Sequence, residues 1–470
     1  MGMMLKAAVT ALAMLLAAAA AAAPALILER ARTVEGAPVD HLKELDRERL
    51  STNNGAFDFA LQGMPGLYNA RVKLGNPPKE YSVQFDTGSD IMWVLCQPCT
   101  GCPKSSELNP PQEFYSPSSS STSSRISCYD HSCAYALETG YAVCNSSHNR
   151  SNRCRYTLTY ADGGTTSGYY VSDTLHFDNV LGNEGTVNTS APIFFRCSNS
   201  RSGNTNGIIG FGKSALSLIS QLNSRGVSSK VFSHCFKRSK DGGGILVLGD
   251  VVKPGFVYTP LVTTQPRYNL NMTSIAVNGH MLPINSSLFA TSKTEGTIVD
   301  SGTTLSYLAD GIYDAVISAI IAGKCPSVRT YVHNGIRYFI SSKRALSLFP
   351  TVTFYFEDGA AMTVGPESYL VHQGLYEKDD VFRIGFQRSE IEDYKRITIL
   401  GDLVLRDKIF VYNLDKMTMG WVDYDCSLLN TTTPFVVSGS MRHHAPPYYM
   451  ILIVVGVAVI IIAIQHLASY

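Results

Sequence analysis

From about residue 67 to residue 426 the chain is a succession of short β-branched and aromatic runs, each stopped by Gly, Pro, Asn or Asp. That pattern predicts strands joined by tight turns. Two of the runs are alike. Tyr81-Ser-Val-Gln-Phe-Asp86-Thr87-Gly88-Ser89 and Gly296-Thr-Ile-Val-Asp300-Ser301-Gly302-Thr303 each carry apolar residues straight into an Asp. Each follows that Asp with a hydroxyl residue, a Gly and another hydroxyl residue. Both predict a buried strand whose closing turn presents a carboxylate. A second pair recurs in the same order, Gly207-Ile-Ile-Gly210 after the first acid and Thr398-Ile-Leu-Gly401 after the second. Its glycines predict close backbone approach, and the matched pairs predict two related halves.

Helical spacing is confined to short pieces. Ser214–Arg225 places Leu218, Ile219 and Leu222 on one face and is ended by Gly226; Asp310–Ala322, capped by Asp310, carries Ile312, Val316, Ile317, Ile320 and Ile321 and stops at Gly323. Two β-prone runs flank Asp162-Gly163-Gly164 and predict a hairpin. Phe349–Gly359 predicts a strand and hairpin turn, and residues 251–262 pass between the halves.

The ends of the chain have a different pattern. Residues 1–23 hold a single Lys and a long Ala/Leu/Met run, which predicts a secretory signal peptide cleaved before Pro24. Residues 24–65 alternate Arg and Lys with Asp and Glu in a helix-permitting stretch broken at Asn53-Asn54-Gly55. At the other end, small Ser438-Gly439-Ser440, a polar spacer over 441–449 and an uninterrupted apolar run over 450–464 have the layout of a GPI-attachment signal. The rival reading is a single membrane span. Arg442 on the lumenal side, with no Lys or Arg after the run, works against it.

Composition narrows the class. Of the 470 residues 16% are charged and the net charge is +1, so bulk charge implies neither nucleic acid nor an acidic partner. The chain is long enough for two lobes with separate cores. Eleven cysteines, with sequons at Asn145, Asn149, Asn188, Asn271, Asn285 and Asn430, agree with the signal peptide on an oxidising, glycosylating compartment. The spacing Cys96-x2-Cys99-x2-Cys102, followed by Cys128, Cys133, Cys144 and Cys154, suits zinc or a cluster elsewhere. The secretory context favours disulfides, with their connectivity open and one thiol left over. Cys426 has Cys235 or Cys325 as possible partners. The serine-rich residues 116–124 predict an exposed loop.

The two acid-bearing turns define candidate chemistry. Brought face to face, their carboxylates could not both ionise, so the pair would share a proton and serve one water as acid and base. Ser89 and Thr303 are placed to bond the carboxylates, and Thr87 and Ser301 to bond each other across the contact.

These motifs, in this order over roughly Leu67–Cys426, resemble the pepsin-like aspartic endopeptidases. The cysteine-rich insertion resembles that of their plant nepenthesin-like branch. The resemblance implies an all-β, bilobal fold of two related β-barrel lobes with a few short helices. It implies an N-terminal lobe over 66–255, a C-terminal lobe over 256–427, a spacer over 428–449 and a tail over 450–470. Asp86 and Asp300 would be catalytic, with Thr87, Gly88, Ser89, Ser301, Gly302 and Thr303 in support. Tyr160 matches the flap tyrosine, and Trp93 the tryptophan whose indole bonds it. Residues 24–65 match a propeptide covering the cleft, with Lys43 a candidate to neutralise the acids. The implied protein is a monomer acting on polypeptides at acid pH, needing no metal or organic cofactor. It would reach the cell surface by the secretory pathway and be tethered to the outer face of the plasma membrane. Some proteins of this fold have lost an acid or flap residue and act as inhibitors of other enzymes; here Asp86, Asp300, Ser89 and Tyr160 are all present.

Overall fold

The strands form because each run can turn one face inward. Tyr68–Leu74 buries Tyr68, Ala70, Val72 and Leu74 and leaves Arg71 exposed, the period of a strand with one wet face. Lys79–Asp86 is exposed only at its start and buried from Tyr81 to Asp86, as a strand covered on both sides must be. The computed structural model describes residues 23–30, 39–40, 43, 67–102, 104, 113–144, 152–159, 165–180, 186–201, 207–238, 243–251, 253–333, 336–341, 343–389, 395–428 and 437–438.

A fourteen-stranded sheet runs through both halves. It passes from Val257–Pro260 through Thr418–Asp423, Lys408–Asn413, Val231–Phe236 and Gly244–Val247 to Ala23–Arg30. It continues through Tyr68–Leu74, Lys79–Asp86, Gly207–Gly210, Trp93–Thr100, Thr186–Arg201 and Thr165–Val180. The last of these pairs back onto Ala23–Arg30 and Tyr68–Leu74, curling the N-terminal part into a barrel. The C-terminal half adds a five-stranded sheet containing Glu295–Val299, Arg396–Leu400 and Ser306–Leu308, and two four-stranded sheets. The fold is therefore all-β with a few short helices, as expected.

The halves meet where Val231–Phe236 pairs with Lys408–Asn413. The rings there pack closely: Phe232 stacks on Tyr412 at 4.5 Å between centroids, and Phe85 meets Phe211 edge-on at 5.1 Å. Each such pair adds roughly 0.5–1.5 kcal/mol to the burial of its rings. The Cys235–Cys426 disulfide crosses the same region. The insertion is stapled by Cys96–Cys197, Cys99–Cys102, Cys128–Cys144 and Cys133–Cys154, and Cys325 carries the one free thiol.

Several expectations shift in detail. The helix expected from Ser214 begins at Leu218, after a turn in which the Ser217 hydroxyl donates to Ser214 O. Gly226 follows it with φ +70°, as its stop. The helix expected to be capped by Asp310 spans Ile312–Gly323, and its N-cap is Gly311 at φ +84°. The Asp310 carboxylate pairs instead with Arg388, which removes it from the capping role. The charged stretch after residue 23 is not helical throughout: Ala23–Arg30 is a strand, held between Gly244–Val247 and Tyr68–Leu74. The serine-rich segment is tied down at one end, because Ser120 and Thr122 hydroxyls donate to Asp173 Oδ1.

Candidate active site

Each predicted acid sits at the end of a parallel ladder. Asp86 lies opposite Gly210 in the pairing of Lys79–Asp86 with Gly207–Gly210; Val299 lies opposite Leu400 in the pairing of Glu295–Val299 with Arg396–Leu400. The backbone locks each end: Phe211 N–H donates to Asp86 O at 2.8 Å and Asp300 N–H to Leu400 O at 3.1 Å. The glycines are required by contact. A Cβ on Gly210 would lie 2.4 Å from Asp90 O, and one on Gly401 would lie 1.9 Å from Leu305 O.

The two carboxylates have matching donors. Gly88 N–H donates to Asp86 Oδ1 and the Ser89 hydroxyl to Asp86 Oδ2, both at 2.8 Å. Gly302 N–H donates to Asp300 Oδ1 at 3.0 Å and the Thr303 hydroxyl to Asp300 Oδ2 at 2.7 Å. Both aspartates are fully buried. The loops grip one another reciprocally: Thr87 N–H donates to Ser301 Oγ and Ser301 N–H to Thr87 Oγ1, each at 3.0 Å. So the residue after each acid is bonded to the residue after the other. A buried carboxylate with an N–H and an O–H donor is stabilised as an anion, and a second carboxylate close to it would oppose this.

Comparison with known proteins shows the family. Family models described as "Xylanase inhibitor N-terminal" and "Xylanase inhibitor C-terminal" match residues 68–250 and 267–423. Aspartic proteinase 36 of Arabidopsis thaliana is 36% identical, over 77% of this chain and 74% of that protein. The chain belongs to the plant aspartic proteinases of the pepsin family. Aspartic proteinase 39 of Arabidopsis thaliana is 35% identical over 83% of this chain and 82% of its own, and aspartic proteinase nepenthesin-2 of Nepenthes gracilis is 29% identical over 77% and 78%. Among solved structures, basic 7S globulin from soybean superposes with a TM-score of 0.61 at 18% identity, covering 87% of this chain and all of that one, and so shares the fold.

The remaining predicted residues are placed as follows. Trp93 is buried with Leu67, Leu95 and Ile208. The predicted flap is a hairpin at its base, where Leu158 pairs with Thr166 and Thr159 with Thr165; Tyr160 itself lies outside the described residues. Asn271 Nδ2, the atom a glycan would occupy, donates to Glu357 Oε2 at 2.8 Å. Asn285 is exposed and accepts Ser287 N–H through Oδ1. Asn188 lies in the strand Thr186–Arg201, and Asn145, Asn149 and Asn430 lie outside the described residues. Ser438 sits in a short strand paired with Asp250; Gly439, Ser440 and the apolar tail lie outside. Among the described residues no helix is long and apolar enough to cross a membrane.

The N-terminal segment touches the second half on an apolar cluster that includes Ile298, on the strand leading to Asp300. Val39 is fully buried among Ile298, Leu305, Tyr307, Val371, Ile399 and Leu403, and its N–H donates to Gln373 Oε1 at 3.1 Å. Asp40 pairs with Arg383. Lys43 is half-buried.

Four residues near the site carried no obvious sequence signal. His234 is buried beneath the loops; its Nε2 is 3.1 Å from the Tyr412 hydroxyl, and its ring stacks on Phe236 at 4.1 Å. Burial pushes its pKa down to about 3. Tyr412 in turn bonds Thr87, and burial raises its own pKa. Asp90, four residues after Asp86, has a carboxylate whose pKa is raised by burial, against the lowering effect of bonds from Tyr141 and Ser214 N–H. Arg196 is fully buried, which lowers its pKa to about 9. None belongs to the repeated motif; Asp90 comes nearest, directly after the Asp86-Thr87-Gly88-Ser89 turn, where the second copy has Thr304.

Proposed function

We propose that this protein is an endopeptidase that hydrolyses peptide bonds with a single water held between Asp86 and Asp300. The observation supporting this is the matched donor set on two buried carboxylates whose flanking hydroxyls bond across the lobes. The ionised aspartate takes a proton from the water as its oxygen attacks the scissile carbonyl carbon. The protonated aspartate gives its proton to the carbonyl oxygen, forming a tetrahedral diol. Collapse breaks the C–N bond while a proton passes to the leaving nitrogen, and the dyad returns to one shared proton. The charge assignment at each step belongs to the pair. No metal or organic cofactor takes part.

The substrates are polypeptides in extended form, closed over by the flap whose base is the pairing of Arg155–Thr159 with Thr165–Val180. The chain is secreted, glycosylated and tethered outside the cell by the C-terminal signal, with residues 24–65 as its propeptide. Asp86→Asn and Asp300→Asn proteins test the chemistry: each is expected to lose peptidase activity while staying folded. Full activity in either purified variant overturns the mechanism. Release of the protein from membranes by a phosphatidylinositol-specific phospholipase tests the tether, and retention after treatment refutes a GPI anchor.

A second reading is an inhibitor of other enzymes. Its support is the description of the two matching family models. Cleavage of a peptide library, blocked by a statine-containing peptide, separates the two readings.

A further inference from the structure

The side chain nearest in sequence to the catalytic turn and not used by the dyad is Asp90, and it is held from outside the turn. The Tyr141 hydroxyl donates to Asp90 Oδ2 at 2.6 Å, and Ser214 N–H donates to Asp90 Oδ1 at 2.9 Å. These are its hydrogen-bond donors among the described residues. The carboxylate occupies the space beside Gly212, where a Cβ would lie 2.2 Å from Oδ1. Gly212 N–H donates to Ser89 O at 2.8 Å, and the Ser89 hydroxyl donates to Asp86 Oδ2. Asp90 is also joined to Ser89 by the peptide bond, so the Tyr141 contact bears on the residue whose hydroxyl bonds the reacting carboxylate.

Tyr141 belongs to the cysteine-rich insertion, between Cys133 and Cys144, and it is itself immobilised. Its carbonyl accepts from the Tyr170 hydroxyl at 2.6 Å and from Arg196 Nη2 at 2.8 Å. Arg196 Nε donates to the Tyr170 hydroxyl at 2.7 Å. The guanidinium carbon lies 5.6, 4.6 and 5.4 Å from the ring centroids of Tyr141, Tyr156 and Tyr170. The Cys128–Cys144 and Cys133–Cys154 bridges frame the same segment. The other charged or titratable groups facing Asp90 are Lys213, Arg267 and Tyr268. The Lys213 ammonium donates to Val262 O and Gln265 O, and the Tyr268 hydroxyl donates to Phe211 O.

We propose that Tyr141 is a positioning residue for the Asp86 turn. Its hydroxyl fixes the Asp90 carboxylate, and through the adjoining Ser89 it fixes the angle at which Asp86 meets water. The disulfide-bonded insertion is thereby part of the catalytic apparatus. The inference rests on the endopeptidase reading above. A loss of alignment at the reacting group is felt in turnover more than in substrate binding.

The test compares the processed wild-type protein with Tyr141→Phe, Asp90→Asn and the double variant on one fluorogenic peptide. The expected result for Y141F is a fall in kcat of about tenfold or more, with KM within about twofold of wild type. The limb of the pH–rate profile set by the dyad shifts, because the charge on Asp90 is no longer held by Tyr141. The double variant is no slower than the worse single variant, as expected for groups acting as one unit. Thermal melting confirms folding, and D90N carries the same test if Y141F does not fold. An active wild type whose Y141F kcat and pH profile are unchanged overturns the inference alone, as does an additive double variant. A wild type that cleaves no peptide overturns the endopeptidase reading, and the inference falls with it.

Discussion

Arg383 holds the Asp40 carboxylate with both terminal nitrogens, at 2.7 and 3.1 Å. The arginine side chain is 10% exposed and the aspartate 56%, so the pair is sheltered on one side only. The guanidinium also lies over the Tyr338 ring, and the neighbouring Val39 fills an apolar site lined by the residues that flank Asp300. A segment far from the second half in sequence is thus fastened to it, against the strand that leads to Asp300.

That fastening predicts the behaviour of the unprocessed protein. Arg383→Met removes the charge partner and keeps most of the side-chain volume. A partly exposed pair of this kind is worth on the order of 1 kcal/mol. The unprocessed R383M protein is expected to cleave a fluorogenic peptide several-fold faster than unprocessed wild type, with the processed forms equal. Equal rates in the unprocessed forms would separate the grip from any inhibitory role.

The reciprocal Thr87–Ser301 bonds predict a defect shared between stability and chemistry. Thr87→Ala leaves the buried Ser301 N–H without its acceptor and removes a partner of Tyr412. An orphaned buried donor costs about 1–3 kcal/mol. Denaturant unfolding should show a loss of that size, and kcat should fall as the two turns lose alignment. A variant with wild-type unfolding and wild-type kcat would show that the cross-lobe bonds are dispensable.

Gly401 predicts a steric effect. A methyl group there meets Leu305 O and Thr303 O, both backbone atoms with little freedom. Overpacking of this kind typically costs about 1–3 kcal/mol. Gly401→Ala should lower kcat strongly, because the displaced Thr303 bonds Asp300. A crystal structure of G401A with the Asp300 turn unmoved would contradict this.

His234 predicts an acid limit on stability. Its pKa is depressed by burial from 6.5 to about 3, so the native state resists the proton that the unfolded state accepts. Between those values the unfolded chain binds more protons, and stability rises with pH across the window. It is lost as pH falls from about 6.5 toward about 3, by an amount of a few kcal/mol at most. His234→Phe removes the titration and the Tyr412 bond together. Its stability should be less steep in pH over that window than wild type, although lower near neutrality. Parallel stability–pH curves for the two proteins would refute this account.

The paired motifs made much of the site legible. Asp86, Ser89, Asp300 and Thr303 bond as their repeated spacing implies, because a local turn is built from local residues. What sequence left unread was set by long-range contact. Asp310 reads as a helix cap, but the distant Arg388 takes its carboxylate. The first strand was hidden in a charged stretch, since its place depends on partners near residues 70 and 246. Tyr141 and Asp90 are 51 residues apart, and His234 looks like any strand residue until the Tyr412 hydroxyl is brought to it.

The Cys235–Cys426 bridge spans 191 residues of sequence. It fastens the strand at the junction of the halves to the end of the second lobe. Any one cut in the intervening loops would therefore yield a two-chain molecule rather than two fragments. Such a product would migrate as one species until reduced and would keep the shared sheet between Val231–Phe236 and Lys408–Asn413. Nicking there would then change the number of chain ends without separating Asp86 from Asp300.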